Sequence, residues 1–519
     1  MTRRQGSFLL LASLTCANFA NMHQESVHPY FIKLKMALVK PSKEPLYQRL
    51  VNEIKGAIEN FELAPSQMIP STRELAETLD LSRSTVVRCY EDLLARGYIH
   101  TVDGVGTFVR AVEKPISKEE TQKWPVSART QKLLAHSRAG LFCHDFPELN
   151  FGCTPADLLP LKAWRQIQLK HARETDSQEL DYGADPFGYL PLRSALADFL
   201  KRVRSVSCSA EQLIVFPSAL YPLHLLAESL VNEKQVVIMA DPELPYARQT
   251  FASAGAEIQF LPVDEEGLNL DHLPSEYSKD SIIYVSPSHH NPSGTVMSMR
   301  RREQLLQIAA ERKMFIIEDD CNWENRQGPS PLPSLQGLSQ SANVIYLSNF
   351  WSTLYPLINL GFMVIPKRLI PLFEQIWRVT YHSFQTHLPM LEQLTMHEFI
   401  ADGHFERQIR KTEKVYLAWW RSLVQALKTE LGKHVEIMKS SGGSALLMRL
   451  PEEWDHDRIL KAAKNSNFAL VSTVEFYHSD APRNEFLVPF IQLEEDDLIN
   501  RAKEFSKQVI TTCASSDQR

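Results

Sequence analysis

A chain of 519 residues, 44% hydrophobic and 23% charged, is long enough for two or more domains and has the composition of a folded globular protein. A formal net charge of −6 excludes an overall basic bias toward nucleic acid, so any such function must rest on how charge is distributed. Seven cysteines, odd in number, scattered and without a CxxC pair, argue against a disulfide framework or a zinc site and for a reducing, cytoplasmic setting.

The first 35 residues leave several readings open. Two arginines, the apolar run FLLLASL and the small residues after it have the make-up of an export signal. The run is too short for a membrane span. Met36 offers a second start, so Met1 to Lys35 is expected to be a mis-assigned start or a disordered extension.

From Leu46 to Leu63 apolar residues stand at 46, 50, 54, 58 and 61, the spacing of a helix. Ser71 with Glu74 three residues on forms a capping box for a short helix to about Leu79. Ser82 caps a second helix to about Arg96, with Val86, Tyr90, Leu93 and Leu94 as its inner face and Gly97 at its end. HTVDGVGTFVR then predicts two short strands around a Gly104–Gly106 turn. Helix, helix-turn-helix and β-wing make a winged helix.

Between Met36 and Val109 there are 8 Lys and Arg against 10 Asp and Glu, so the module is not basic. The arginines are nonetheless placed at or near the starts of the two helix-turn-helix helices. Arg73, Arg83 and Arg88 can reach phosphates or guanine edges, and Ser82, Ser84 and Thr85 can hold phosphates through hydroxyls and the helix N-terminus. Gly104, Gly106 and Thr107 of the wing complete the candidate DNA-binding set. The competing readings are solvated surface arginines and a protein–protein module. The span from Glu44 to Arg110, with PSTRELA, LSRSTVVRCYEDL and GVGTFV, resembles the GntR DNA-binding domain, in which a glycine stands at the position of Ser66. The resemblance implies a double-stranded DNA operator as partner.

Residues 111–141 are polar, carry Pro115 and Pro125, and read as a linker. Beyond them, apolar runs begin at 213, 236, 257, 281, 314, 344 and 361, with helical stretches between. Seven such runs predict a mostly parallel α/β sheet, whose ligand site would lie at the carboxyl ends of the strands.

Residues 146–512 are expected to form this domain. The motifs LDYGADPFGYLPLRSALADFL, ADPELPYAR, SPSHHNPSGTVMSMRRR, IIEDDCNWENR and VIYLSNFWSTLYPLINLGFMVIP resemble the MocR subfamily of the GntR family, in which the winged helix is fused to a fold-type I aminotransferase-like domain. Relatives of this kind hold pyridoxal phosphate (PLP). On this resemblance Asp319 takes the pyridine-nitrogen carboxylate position, with Asp320 as the alternative for a register one residue later, and Asn291 is a donor to O3′. Ser352 falls on the Schiff-base lysine, Asn359 on the phosphate arginine, Cys321 on the O3′ tyrosine and Trp351 on a serine. Pro217-Ser218 falls on the glycine-serine start of the phosphate cup, Leu244 on a tyrosine and Leu487 on the substrate-carboxylate arginine. A hydroxyl does not form an imine with an aldehyde. The resemblance therefore implies an aminotransferase fold without aminotransferase chemistry. It implies no catalytic residue, no cofactor unless PLP is held non-covalently by Asn291 and Asp319, a homodimer, and a small-molecule effector as a possible further partner. Asp319 as a structural cap and His289 and His290 as polar wall are the competing readings of those residues. No metal-ligand spacing or membrane partner is indicated. The alternative function is a PLP-dependent aminotransferase or a PLP-binding regulator.

Overall fold

The structure, a computed structural model, describes residues 29–38, 44–110, 126–127, 130–131, 154–176, 185–277, 280–324, 332–339, 343–380, 389–438, 442–491 and 493–513. Residues 1–28, nearly all of the expected linker and the start of the LDYGAD motif lie outside them. The chain divides into two compact units, residues 1–125 and 126–519.

In the first unit, α1 (Pro29–Leu38), α2 (Leu46–Glu59), α3 (Thr72–Leu79) and α4 (Arg83–Ala95) pack with a sheet of β1 (Met68–Ile69), β2 (Ile99–Val102) and β3 (Gly106–Val109), in the order β1-β3-β2. The helix expected to reach Leu63 stops at Glu59, and the chain turns at Phe61 with φ +60° while Leu63 still enters the core. On α4 the buried stripe is Val86, Cys89, Tyr90 and Leu93, the i, i+3, i+4, i+7 pattern. Leu94, expected inside, is 39% exposed, and Cys89 takes its place. The main difference lies upstream. Residues 29–35, expected to belong to an extension, begin α1, whose Phe31, Leu34 and Leu38 are buried in the winged-helix core. Tyr30 adds a hydrogen bond from its hydroxyl to Glu53 O (2.8 Å). The buried stripe at 31, 34 and 38 is masked in the sequence by apolar residues on the exposed side, Ile32 and Met36.

The second unit opens with α5 (Leu161–Glu174) and α6 (Leu190–Arg204). The seven predicted strands follow as β4 (Leu213–Phe216), β5 (Val236–Asp241), β6 (Glu257–Asp264), β8 (Ile282–Val285), β9 (Phe315–Asp319), β10 (Val344–Asn349) and β11 (Gly361–Val364). A two-residue strand, β7 (Gly267–Leu268), hairpins back on β6 and makes the sheet eight-stranded, in the order β4-β11-β10-β9-β8-β5-β6-β7. The pairs β10/β9, β9/β8, β8/β5 and β5/β6 are parallel, while β11 runs antiparallel to both of its neighbours. Alternate residues of each strand face opposite layers, which is why the runs are apolar throughout. On β10, Tyr346 packs with Leu196 and Phe399, whereas Ile345 and Leu347 pack with Leu226 and Phe251 on the other side.

Between and after the strands come α7 (Tyr221–Leu230), α8 (Pro245–Ser253), α9 (Met299–Arg312), α10 (Leu335–Leu338), α11 (Trp351–Leu354), α12 (Ile370–Thr380), α13 (Met390–Ala401) and α14 (His404–Leu431). A second, antiparallel sheet of β12 (Glu436–Ile437), β13 (Ala445–Arg449), β14 (Val471–Ser472) and β15 (Glu485–Pro489) carries its own core with α14, α15 (His456–Asn465) and α16 (Glu495–Cys513). No described helix is long and apolar enough to cross a membrane.

Candidate functional site

The helix-turn-helix is built by its caps. Ser71 Oγ accepts from Glu74 N (3.2 Å) and Glu74 Oε2 accepts from Ser71 N (2.8 Å), which starts α3. Ser82 Oγ accepts from Thr85 N (3.2 Å) and lies 2.9 Å from Ser84 Oγ and 2.7 Å from Thr85 Oγ1, so the three hydroxyls cluster at the start of α4. Ser82, Arg83, Ser84 and Arg88 are exposed and Thr85 is half-buried, so the predicted recognition-helix residues share one accessible end of one helix. Arg73 lies on the preceding helix with Nε 3.3 Å from Glu77 Oε1, both side chains well exposed. Such a pair is worth under ~1 kcal/mol and is readily exchanged for a phosphate. Gly104 (φ +73°) and Gly106 (φ +152°) make the tip of the wing, and Thr107 sits in β3 opposite Thr101. Ser66 adopts φ +62°, the left-handed region where the family's glycine is at ease.

In the second unit the polar residues gather beyond the carboxyl ends of the parallel strands. Asp319 ends β9 and is buried. Its Oδ2 accepts from the hydroxyls of Tyr284 (2.5 Å) and Tyr246 (3.1 Å), and its Oδ1 from Cys321 N (3.2 Å). Burial beside this carboxylate drives both phenols well above their ordinary range, so they remain donors. Asp320 is engaged elsewhere: Arg204 holds it through Nε (2.7 Å) and Nη2 (3.0 Å), and Tyr346 donates to it (2.7 Å). Burial opposes its charge, but the Arg204 guanidinium prevails and holds the Asp320 carboxyl below its usual value.

Ser352 lies in α11 and is buried, its Oγ a long 3.4 Å from Glu324 Oε2, its carbonyl taken by Thr154 Oγ1 (2.8 Å). Burial pushes Glu324 up to about 8, and its second oxygen has no hydrogen-bond partner among the described residues. Asn359 Oδ1 accepts from Ala219 N (3.0 Å), the amide just beyond Pro217-Ser218. Asn349 Oδ1 accepts from Trp351 N (3.0 Å) while its Nδ2 turns to Cys321 Sγ (2.8 Å), and Trp351 stacks on Tyr355 at 3.8 Å.

Asn291 and Leu487 come together on one cavity of about 10 Å³, shared with His289, Asn322, Ser444 and Leu447. That is room for roughly one water. Leu487 packs with Leu447 and Phe476, and Leu244 packs against the same cluster, so two positions expected to be polar in the family are joined as one apolar patch. His289 and His290 are held neutral by burial, each pulled down to about 4. Among the described residues no group of His, Cys, Asp or Glu could hold a metal.

Sequence reasoning missed Tyr246, Tyr284, Glu243 and Glu324. Tyr284 carried a usable signal: a hydroxyl within a buried strand needs a partner, and one strand over Asp319 is that partner. Glu243 Oε1 accepts from Leu244 N (2.8 Å), and burial raises the group to about 8.

Residues 46–109 match the gntR family of bacterial regulatory proteins, and residues 149–479 match the aminotransferase class I and II family. The uncharacterized HTH-type transcriptional regulator YhdI of Bacillus subtilis is 30% identical over 467 residues, 89% of this chain and 95% of its own. The probable rhizopine catabolism regulatory protein MocR of Rhizobium meliloti is 29% identical over 465 residues, 87% of this chain and 91% of its own. Among solved structures, LysN, the α-aminoadipate aminotransferase of Thermus thermophilus complexed with N-(5'-phosphopyridoxyl)-L-leucine, superposes with a TM-score of 0.62 at 24% identity, over 74% of this chain and 95% of its own. That likeness shows the fold. The chain belongs with the MocR-type transcriptional regulators, a gntR-family DNA-binding module fused to an aminotransferase class I and II domain.

Proposed function

We propose that the protein is a sequence-specific, homodimeric regulator whose aminotransferase-like domain has given up transamination and serves dimerisation and the sensing of a small molecule. Arg83 and Arg88 read bases, with Arg73, the Ser82, Ser84 and Thr85 hydroxyls and the wing at Gly104, Gly106 and Thr107 positioning the duplex. Replacing Arg83 or Arg88 by Ala is expected to weaken specific binding roughly tenfold or more without unfolding the module, as loss of a bidentate base contact does. Unchanged affinity in a gel-shift titration would remove the recognition-helix assignment.

The observation that carries the loss of chemistry is at Asn359. PLP supplies an electron sink when bound. Holding it takes an amine, a cation and open amides for its phosphate, and a carboxylate for the ring nitrogen. On the resemblance, Ser352 stands in place of the amine, beside a carboxyl held protonated by burial. Asn359 stands in place of the cation, and its oxygen consumes the Ala219 amide next to the cup, so charge and donor are withdrawn together. Asp319, oriented by Tyr246, Tyr284 and the Cys321 amide, is still a carboxylate for the ring nitrogen, but it stands without the amine and the cation. These residues do not fit PLP. Charge-assisted hydrogen bonds are worth ~1.5–3 kcal/mol and a neutral one ~1 kcal/mol, so losing the cation and an amide at the phosphate amounts to roughly 4 kcal/mol, about three decades of affinity, and the covalent imine is lost besides.

Calorimetric titration with PLP tests this: no saturable site is expected, and Ser352→Lys alone restores neither binding nor transamination. Tight, saturable binding to the native protein would favour the competing reading, a PLP-using regulator or aminotransferase, for which Asp319 and Asn291 are the remaining support.

A further inference from the structure

The arginines of the winged helix differ in how they are held. Arg96 spends Nε and Nη2 on Asp92 (2.6 and 2.9 Å), and Arg73 spends Nε on Glu77. Arg83 is exposed and no partner holds it among the described residues. Arg88 differs from all three. Its guanidinium carbon lies 4.1 Å from the centroid of the Tyr47 ring, a cation–π contact between α4 and the first turn of α2. Tyr47 is half-buried and packs against the core containing Leu50, Val51 and Ile54, so the ring is a fixed platform.

The contact uses no hydrogen-bond acceptor. Arg88 makes no hydrogen bond to a described residue, so its N–H fork stays open while the stem is immobilised. An arginine fixed in this way has already lost the rotamer freedom that binding would otherwise take from it. It also lies on the exposed face one turn from Ser84, the side of the recognition helix that carries the other candidate contacts.

We infer that Tyr47 is a positioning residue for base recognition: it presents the Arg88 fork to a guanine edge in the major groove without itself reading a base. The inference rests on the DNA-binding reading above. Tyr47 holds specificity from a helix that the helix-turn-helix pattern does not include.

The test uses the full-length protein and the duplex it enriches from a random-sequence library. Tyr47→Leu is expected to lower affinity for that duplex roughly three- to tenfold, the cost of one side chain left to be immobilised on binding. It should relax preference at the base pair read by Arg88 and leave binding to an unrelated duplex unchanged. Tyr47→Phe, which keeps the ring, should retain both affinity and preference. In an Arg88→Ala background Tyr47→Leu should cost nothing further. Should Leu disturb the fold by circular dichroism, Tyr47→Met provides the same comparison. Equal affinity, tighter binding, an additive loss in the Arg88→Ala background, or a Tyr47→Phe loss as large as that of Leu would each overturn the inference. Failure of the native protein to enrich any duplex would overturn the DNA reading, and this inference with it.

Discussion

Ser66 shows what a single departure from a family pattern costs. A non-glycine residue at φ +62° is disfavoured by ~1–2 kcal/mol, while glycine would lose ~0.5–1 kcal/mol more chain entropy on folding. The difference predicts that Ser66→Gly stabilises the winged helix by about 0.5 kcal/mol, read as a raised thermal midpoint; a lowered midpoint would mean the serine side chain is needed there. The buried acids and histidines of the second unit set a pH window. Glu243 and Glu324 ionise in the unfolded chain from 4.5 but are pushed up to about 8 when folded, so the fold keeps their protons and loses stability as pH rises from 4.5 to 8. His289 and His290 act in the opposite sense: pulled from 6.5 to about 4, they cost stability as pH falls from 6.5 toward 4. Between 6.5 and 8 the raised acids set the slope, at most about 1.4 kcal/mol per pH unit each, and Glu318, pushed up to about 7 by burial, adds to it in the same direction. Urea midpoints should therefore fall across that interval, and Glu324→Gln should flatten the fall. A native midpoint that is constant or rising from 6.5 to 8 would contradict the assignment of these protons.

At the level of elements, the sequence was most legible where period and cap agree. Ser71 with Glu74 and Ser82 before an apolar stripe specify α3 and α4 nearly to the residue, because a cap satisfies amides that only a helix start leaves open. The seven apolar runs marked the strands of the sheet, and Asp319 closes one of them at its carboxyl end. What could not be read was pairing across long separations: Arg204 with Asp320 and Tyr47 with Arg88. No local period encodes these. The helix α1 was also missed, since a buried stripe of only Phe31, Leu34 and Leu38 carries little periodic contrast. It is nevertheless part of the core, and Phe31→Ala is predicted to destabilise the winged-helix unit by about 3 kcal/mol. A chain begun at Met36 would lack both Phe31 and Leu34. Unchanged denaturation of Phe31→Ala would show that the helix is not packed as described.

For the whole molecule, the two units divide the work by chemistry. The first presents open arginines on a capped helix; the second keeps the aminotransferase fold, and in the function proposed above the positions that would grip an anionic cofactor have become neutral or apolar. A homodimer through the second unit would pair two winged helices on one duplex, and light scattering at micromolar concentration should report two chains per particle. The central claim is that fold and chemistry have parted in this domain. Its most direct test is the absorbance spectrum of the purified full-length protein before and after borohydride. No internal-aldimine band is expected, and no phosphopyridoxyl adduct on any lysine of the second unit. A yellow protein that loses its colour on reduction, with the adduct mapped to one lysine, would contradict it and return the chain to the PLP-using regulators.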